Sequence, residues 1–253
     1  MRLTFLGTGT SGGVPSLGCH CAVCQSADPH DKRLRTAALL ETQTTRILID
    51  CGPDIRQQLM PFAFAPLDGV LLTHIHYDHV AGIDDLRPFR VFGSMHVFAD
   101  QHTVDLLHQT MPYCFTKKLY PGVPRLDLTP VVPHQPLTIG DVEVLPVQVM
   151  HDKLPILGYR FGNLAYITDM KTIDETEYAY LEGIDTLVVN ALRYQPKHHS
   201  HMTVDEAVAF AKRVGAQRTY FVHMNHQVGF HEEVNKQLPA GMQLAYDGLQ
   251  IDV

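Results

Sequence analysis

His74-Ile75-His76-Tyr77-Asp78-His79 puts four metal-competent side chains into six residues, directly after the apolar run Val70-Leu71-Leu72. Neutral imidazoles and carboxylates are ligands that Zn²⁺, Mn²⁺ and Fe²⁺ accept. One His-x-His can hold one ion, and the adjacent Asp78-His79 pair offers donors to a second. The plain competing explanation is a surface loop in a chain that carries 16 histidines. That explanation suits a lone His-x-His better than it suits the whole cluster.

Outward from this cluster, short β-rich runs recur: Arg2-Leu6, Ala37-Glu41, Arg46-Ile49, Val70-Thr73, His96-Ala99, Val142-Val149, Leu164-Thr168, Thr186-Val189, Thr219-Val222 and Gln243-Tyr246. A helix is predicted over Val204–Val214, where Val204, Ala207, Val208, Ala211 and Val214 follow a 3.6-residue period. Thr203 with Glu206 forms a capping box at its start, and Met202 against Ala207 forms a hydrophobic staple. Several strand ends carry a candidate ligand: Thr73 leads into His74, Val149 into Met150-His151, Thr168 into Asp169, and Val222 into His223. Sites in α/β folds lie outside the carboxyl ends of strands, so these separate segments can converge on one place.

Composition sets bounds on the rest. With 253 residues and 45% hydrophobic content, the chain can bury a full core as one α/β domain over residues 1–253. Its 20 Lys+Arg against 27 Asp+Glu give a formal charge of −7, which disfavours extensive wrapping of nucleic acid. A compact anionic substrate stays compatible, because bound divalent ions are positive charges that composition does not count. No apolar run reaches the roughly 18–20 residues of a membrane span, and Met1-Arg2-Leu3-Thr4-Phe5-Leu6-Gly7 lacks a signal-peptide core. The expected compartment is the cytoplasm. Five cysteines, an odd count, argue against a disulfide framework there.

These residues resemble the metallo-β-lactamase superfamily, whose His-x-His-x-Asp-His motif stands here as His74, His76, Asp78 and His79, with His151, Asp169 and His223 matching the remaining ligands in order. Asp50-Cys51-Gly52 resembles that family's short Asp-containing motif after an early strand. The resemblance implies an αββα sandwich with a dinuclear metal site at one sheet edge. It implies further that His74, His76 and His151 hold one ion, that Asp78, His79 and His223 hold the other, and that Asp169 bridges them. The flavodiiron branch carries Glu where this chain has His76, so the donor set resembles the hydrolytic branch. In that branch a hydroxide between two ions roughly 3.5–4 Å apart is the nucleophile near neutral pH.

Three further segments narrow the reading. His201-Met202-Thr203 is similar to the His-x-Thr motif of phosphodiesterase members, tRNA 3′-processing nucleases included. Thr203 has a sufficient structural reason as an N-cap, whereas His201 does not, which makes His201 a candidate phosphate contact or general acid. Arg193 and Lys197, on the loop leading to His201, are candidate contacts for a phosphate distant from the bond being cut. Cys19-His20-Cys21-Ala22-Val23-Cys24 offers three thiols, and a closed tetrahedral zinc site needs a fourth ligand. His226 is the leading candidate for it, with His20 and His30 as weaker rivals. Gly7-Thr8-Gly9-Thr10-Ser11-Gly12 fits a dinucleotide-binding pattern of glycines but runs into Val14-Pro15 and no helix, so it reads as a turn near the metal edge.

The cysteine staple, the leading Gly-rich loop, the dinuclear set and the paired His223/His226 together resemble the phosphoribosyl 1,2-cyclic phosphate phosphodiesterase family. The resulting expectation is a metal-dependent phosphodiesterase that hydrolyses a small cyclic ribosyl phosphate ester. Its cofactors would be two divalent ions, zinc or manganese with iron as a third candidate, plus one structural zinc. Asp78 and His201 are the expected catalytic residues, and assembly as a homodimer stays open. The rival readings are a tRNA 3′-processing type of ribonuclease and a non-catalytic metal-binding or assembly protein on the same fold.

Overall fold

In the computed structural model, which describes residues 1–116 and 122–253, the chain forms β1 (Arg2–Gly7), β2 (Ala37–Glu41), β3 (Arg46–Ile49), β4 (Gly69–Leu71), β5 (Met95–Ala99), β6 (Leu126–Pro130), β7 (Leu137–Ile139), β8 (Val142–His151), β9 (Leu154–Phe161), β10 (Leu164–Ile167), β11 (Thr186–Asn190), β12 (Arg218–Val222), β13 (Met242–Leu244) and β14 (Gln250–Asp252). Among the described residues these make two seven-stranded sheets, ordered β14-β1-β2-β3-β4-β5-β6 and β13-β12-β11-β10-β9-β8-β7. Both are mixed: β3 through β6 run parallel, as do β10 through β13, while β1, β2, β8 and β9 pair antiparallel.

Side-chain alternation builds four layers. Ile47 and Ile49 of β3 point inward with Leu40, Leu71, Leu157, Tyr159, Phe161 and Val188, filling the space between the sheets. Leu48 points outward and packs with Ile55, Ile83, Val104 and Leu107 from helical segments. On the opposite outer face, Val189 and Ile167 pack with Val204, Ala207, Phe210 and Ala211 of the helix Val204–Val214. That helix begins at the predicted Thr203, with both capping-box hydrogen bonds formed, and stops at Gly215 in the left-handed region (φ 81°).

Four strands escaped the sequence reading. β9 carries Pro155 and Gly158, which argue against a strand, yet Gly158 is there because a Cβ would lie 2.9 Å from Ile167 of the neighbouring strand. β7 and β14 are three residues each, and β6 is half exposed, so none carries a strong alternating signal. No helix of the described residues is long and apolar enough to cross a membrane.

A buried polar network ties the N-terminal loops to the C-terminal segments. Arg33, 4% exposed, donates from Nη1 to Thr8 Oγ1 (2.8 Å) and the Ala245 carbonyl (2.7 Å), and its Nη2 lies 3.2 Å from His231 Nδ1. Thr8 donates to Asp247 Oδ1 (2.7 Å), and Asp31 Oδ1 accepts from the His231 amide (2.8 Å). Burial, helped by the Arg33 charge, pushes the His231 imidazole down to about 4, and burial raises the Asp247 carboxyl to about 6. An unfolded histidine protonates near pH 6.5, so between that pH and about 4 the unfolded chain binds more protons and His231 makes stability fall as pH drops. Asp247 acts in the opposite sense below pH 6. Urea unfolding of wild type and His231→Gln from pH 7 to 4.5 separates the two: the wild-type slope should contain a loss on acidification that the variant lacks, and parallel curves would refute this assignment.

Candidate metal centre

Five loops leave the carboxyl ends of strands at one edge of the sandwich and bring the predicted ligands together. His74 follows β4, His151 ends β8, Asp169 follows β10 and His223 follows β12, while Asp50 follows β3. Asp50, Asp169 and His223 each have left-handed backbone, with φ of 61°, 64° and 57°. The strands thus end in tight turns at which a side chain is kept although glycine would be easier.

Two groups of donors form. His74, His76, His151 and Asp169 place one ligand atom each within 4.8 Å of one another, and Asp78, His79, Asp169 and His223 do the same. Asp169 belongs to both: its Oδ2 is 3.1 Å from His79 Nε2, 3.2 Å from His223 Nε2 and 3.6 Å from His74 Nε2. His74 Nε2 is 2.9 Å from His76 Nδ1, and His223 Nε2 is 3.3 Å from Asp78 Oδ2. The division matches the two sets expected from sequence. All of these residues except His76 are buried.

The donor chemistry fits divalent cations. Burial alone would disfavour charge on His79, but Asp169, Asp50 and Asp78 outweigh it and hold the imidazole well above the ordinary histidine value. Asp169 resists burial in the same way, kept well below the carboxylate range by His223 and His79. His74, by contrast, is pushed down by burial and by the charge of His79. The cluster therefore demands positive charge at its centre, which is what a cation bound by these nitrogens and oxygens supplies.

Asp50 proves central although the sequence reading marked it only as part of a motif. Its Oδ2 accepts from His79 Nδ1 (2.7 Å), and its Oδ1 accepts from the Thr73 amide (2.8 Å). Thr73 donates its hydroxyl to Asp50 (3.0–3.1 Å), which leaves the hydroxyl oxygen to accept from His74 Nδ1 at 3.0 Å. One carboxylate thus fixes two candidate ligand imidazoles with their Nε2 atoms free. His151 is fixed independently, Nδ1 donating to the Asp169 carbonyl at 2.6 Å. Gly52 explains the rest of Asp50-Cys51-Gly52: a Cβ there would lie 2.0 Å from the Asp78 carbonyl oxygen, so only glycine lets this turn lie under the Asp78 segment.

His201 stands against both groups, its ring 4.6 Å from that of His151 and 4.8 Å from that of His223. Its Nδ1 is buried with no hydrogen-bond partner, and burial lowers the imidazole to about 2. Lys171, which the sequence reading did not single out, holds this loop by donating to the His201 carbonyl (3.2 Å) and to Glu206 (2.9 Å). The signal was weak, since Glu206 lies 35 residues away. A cavity of about 360 Å³ opens beside His201, lined in part by Arg193, His198, Asn225 and His226. Lys197 lies outside this lining; it is exposed, with Nζ 4.0 Å from Glu206 Oε1.

Cys19, Cys21, Cys24 and His226 form the third donor group, again within 4.8 Å, with Cys24 Sγ 3.1 Å from His226 Nδ1. His20 is not part of it, and His30 instead stacks on His231 at 5.0 Å.

Two substitutions separate these roles. Asp50→Ala should keep the fold and weaken metal binding by roughly 10- to 100-fold, as loss of a ligand-orienting carboxylate does; titration against a competing chelator reads it, and unchanged affinity would remove Asp50 from the account. Cys21→Ser should lower the melting temperature and the bound zinc count together, since a closed thiolate site stabilises structure. Wild-type melting with an unchanged count would leave the cysteines as plain thiols.

Residues 45–224 match the family model described as the beta-lactamase superfamily domain. The structure superposes on the crystal structure of a diphosphatase from the PhnP family with a TM-score of 0.91, at 39% identity, covering 99% of this chain and 97% of the other. It superposes on Zn²⁺-bound PqqB from Methylobacterium extorquens with a TM-score of 0.81 over 100% of both chains, where 20% identity speaks for the fold alone. An octanoyltransferase from Porphyromonas gingivalis is 44% identical over 251 residues, 99% of this chain but 51% of that protein, so the chain spans about half the length of this curated relative. The matched segment runs from β3 past the last of the strand-end histidines, and with the 39% identity over nearly both whole lengths it places the chain in the metallo-β-lactamase superfamily, alongside the PhnP family.

Proposed function

We propose that this hydrolase is a metal-dependent phosphodiesterase acting on a small phosphate ester, with a cyclic ribosyl phosphate as the first candidate. The observation that carries the reading is the position of His201, outside both donor groups yet in ring contact with each, next to a cavity whose described lining holds no Asp or Glu. Such a cavity suits an anionic ester. At about 360 Å³ it is near the small end of ligand sites and suits a sugar phosphate or nucleotide. The PhnP-family relative is named a diphosphatase, so a phosphoanhydride belongs in the same substrate panel.

Held by the two donor groups, divalent ions would supply Lewis acidity and a water of lowered pKa. His74, His76, His151 and Asp169 would hold one, and Asp78, His79, His223 and Asp169 the other. Asp50 and Thr73 keep His74 and His79 in the tautomer that leaves Nε2 free. Asp78 serves as a ligand in this scheme, so its catalytic part is to place charge. His201, lowered by burial to about 2, is neutral near pH 7 and therefore acts as a hydrogen-bond donor to a phosphate oxygen, with Lys171 holding the backbone beneath it.

The panel of metal-loaded assays should show cleavage of small cyclic diesters above linear RNA; preference for RNA would favour the ribonuclease reading, and no turnover of any activated diester the assembly-protein reading. His201→Ala should keep its metals and lose roughly 10²- to 10³-fold in rate, the size of a lost oxyanion donor. Because a neutral imidazole is a poor proton source, the loss should be alike for good and poor leaving groups. A loss that grows steeply with leaving-group pKa would make His201 the general acid after all.

A further inference from the structure

A row of imidazoles runs from the surface to the two buried donor groups. His199 is exposed, and its ring lies 4.4 Å from that of the half-buried His198. The His198 ring lies 5.0 Å from that of His201, which in turn touches His151 and His223. A buried serine fixes His198: Ser200 Oγ is 3.1 Å from its Nδ1, and the Ser200 amide donates to the same nitrogen at 3.3 Å. Nδ1 is thereby occupied, whereas Nε2 has no hydrogen-bond partner among the described residues. A hydroxyl both donates and accepts, so Ser200 can satisfy Nδ1 whether the ring is neutral or charged.

Cleavage of a phosphate ester of an ordinary alcohol leaves an oxygen that must be protonated as the bond breaks. Four residues with titratable side chains line the cavity of about 360 Å³: Arg193, His198, His201 and His226. A guanidinium does not give up its proton in proteins. His226 has its Nδ1 3.1 Å from Cys24 Sγ and belongs to the cysteine group. His201 lies in ring contact with both donor groups, where the phosphate itself would be held. His198 stands one ring further out. In-line attack from the side of the donor groups puts the leaving oxygen on the opposite side of phosphorus, toward the cavity that His198 lines. Burial, reinforced by the charges of His199 and Arg193, lowers the His198 imidazole, so its charged form is a ready proton donor and an anionic ester nearby would favour that form.

Building on the phosphodiesterase reading, we propose that His198 is a further catalytic residue, the general acid that protonates the leaving oxygen while His201 contacts the phosphate. As the phosphorus–oxygen bond breaks, its electron pair stays on the leaving oxygen, which takes the proton from Nε2. His198 is left neutral and regains a proton from water. The two histidines of the loop thus divide the work that one general acid would otherwise do alone.

A series of aryl methyl phosphates with leaving phenols of rising pKa tests the division in the metal-loaded protein. His198→Gln should lose roughly 10²- to 10⁴-fold in kcat/KM on the poorest leaving groups and little on the best, the pattern of a lost general acid. Its bound metal count and melting temperature should match wild type, which separates chemistry from folding. In His198→Ala, where the space of the ring is open, imidazole added to the buffer should restore part of the lost rate and should not accelerate wild type. His199→Gln, which changes the exposed neighbour alone, should follow the wild-type series. An equal loss on every leaving group, or no loss at all, overturns the assignment while the hydrolase stands, whereas failure of the wild-type protein to cleave any of the diesters overturns the phosphodiesterase reading itself.

Discussion

His79 is the residue on which the site depends. It is fully buried, and its two ring nitrogens touch carboxylates from different sheets: Nδ1 meets Asp50 beyond β3, and Nε2 meets Asp169 beyond β10. Asp50, Asp78 and Asp169 are each at most 7% exposed, and burying an ionised carboxylate costs several kcal/mol unless a partner offsets it. Imidazoles do so here. His79 therefore links carboxylates from both sheets at the open edge of the sandwich.

The same edge carries backbone strain. Asp50, Asp169 and His223 sit in the left-handed region at a cost of order 1–3 kcal/mol each, and each turns the chain sharply within two residues of a strand end. Glycine would relieve that cost but would remove the carboxylate or imidazole on which the cluster relies. The turns that carry no ligand are where glycine appears instead: a Cβ at Gly52 would strike the Asp78 carbonyl, and one at Gly82 would strike the Gly52 carbonyl, both at 2.0 Å. Close backbone approach at Gly52 and Gly82 and side-chain demand at Asp50 thus shape adjoining stretches of chain.

What was legible in the sequence follows from how local each signal is. The helix Val204–Val214 could be read from sequence because its periodicity and its Thr203 cap are both local signals. The donor set was legible because ligand chemistry restricts residue type so strongly that His151, Asp169 and His223 stand out at strand ends even when separated by long stretches. Asp50 was visible as a motif but not as an orienting group, since its partners Thr73 and His79 are 23 and 29 residues away and only the fold makes them neighbours. Arg193 and Lys197 looked equivalent by charge alone; Gln227, 34 residues on, holds Arg193 in the cavity wall, while Lys197 is left to solvent and Glu206. Lys171 escaped for the same reason.

One chain segment serves three places at once, and this orders how damage would spread. After β12, His223 enters the buried donor group, Met224 exchanges backbone hydrogen bonds with Thr8 and Thr10 of the Gly-rich segment, and His226 joins the three cysteines while also lining the cavity. Cys19 in turn donates its amide to the carbonyl of Ser16, another residue of that lining. The cysteine group is thereby joined to the cavity from both sides, through Ser16 and through His226, whereas Asp50, Thr73 and His79 hold the carboxylate cluster from the other side of the edge. Loosening the cysteines acts first on the shape of the cavity, before it reaches the two buried donor groups.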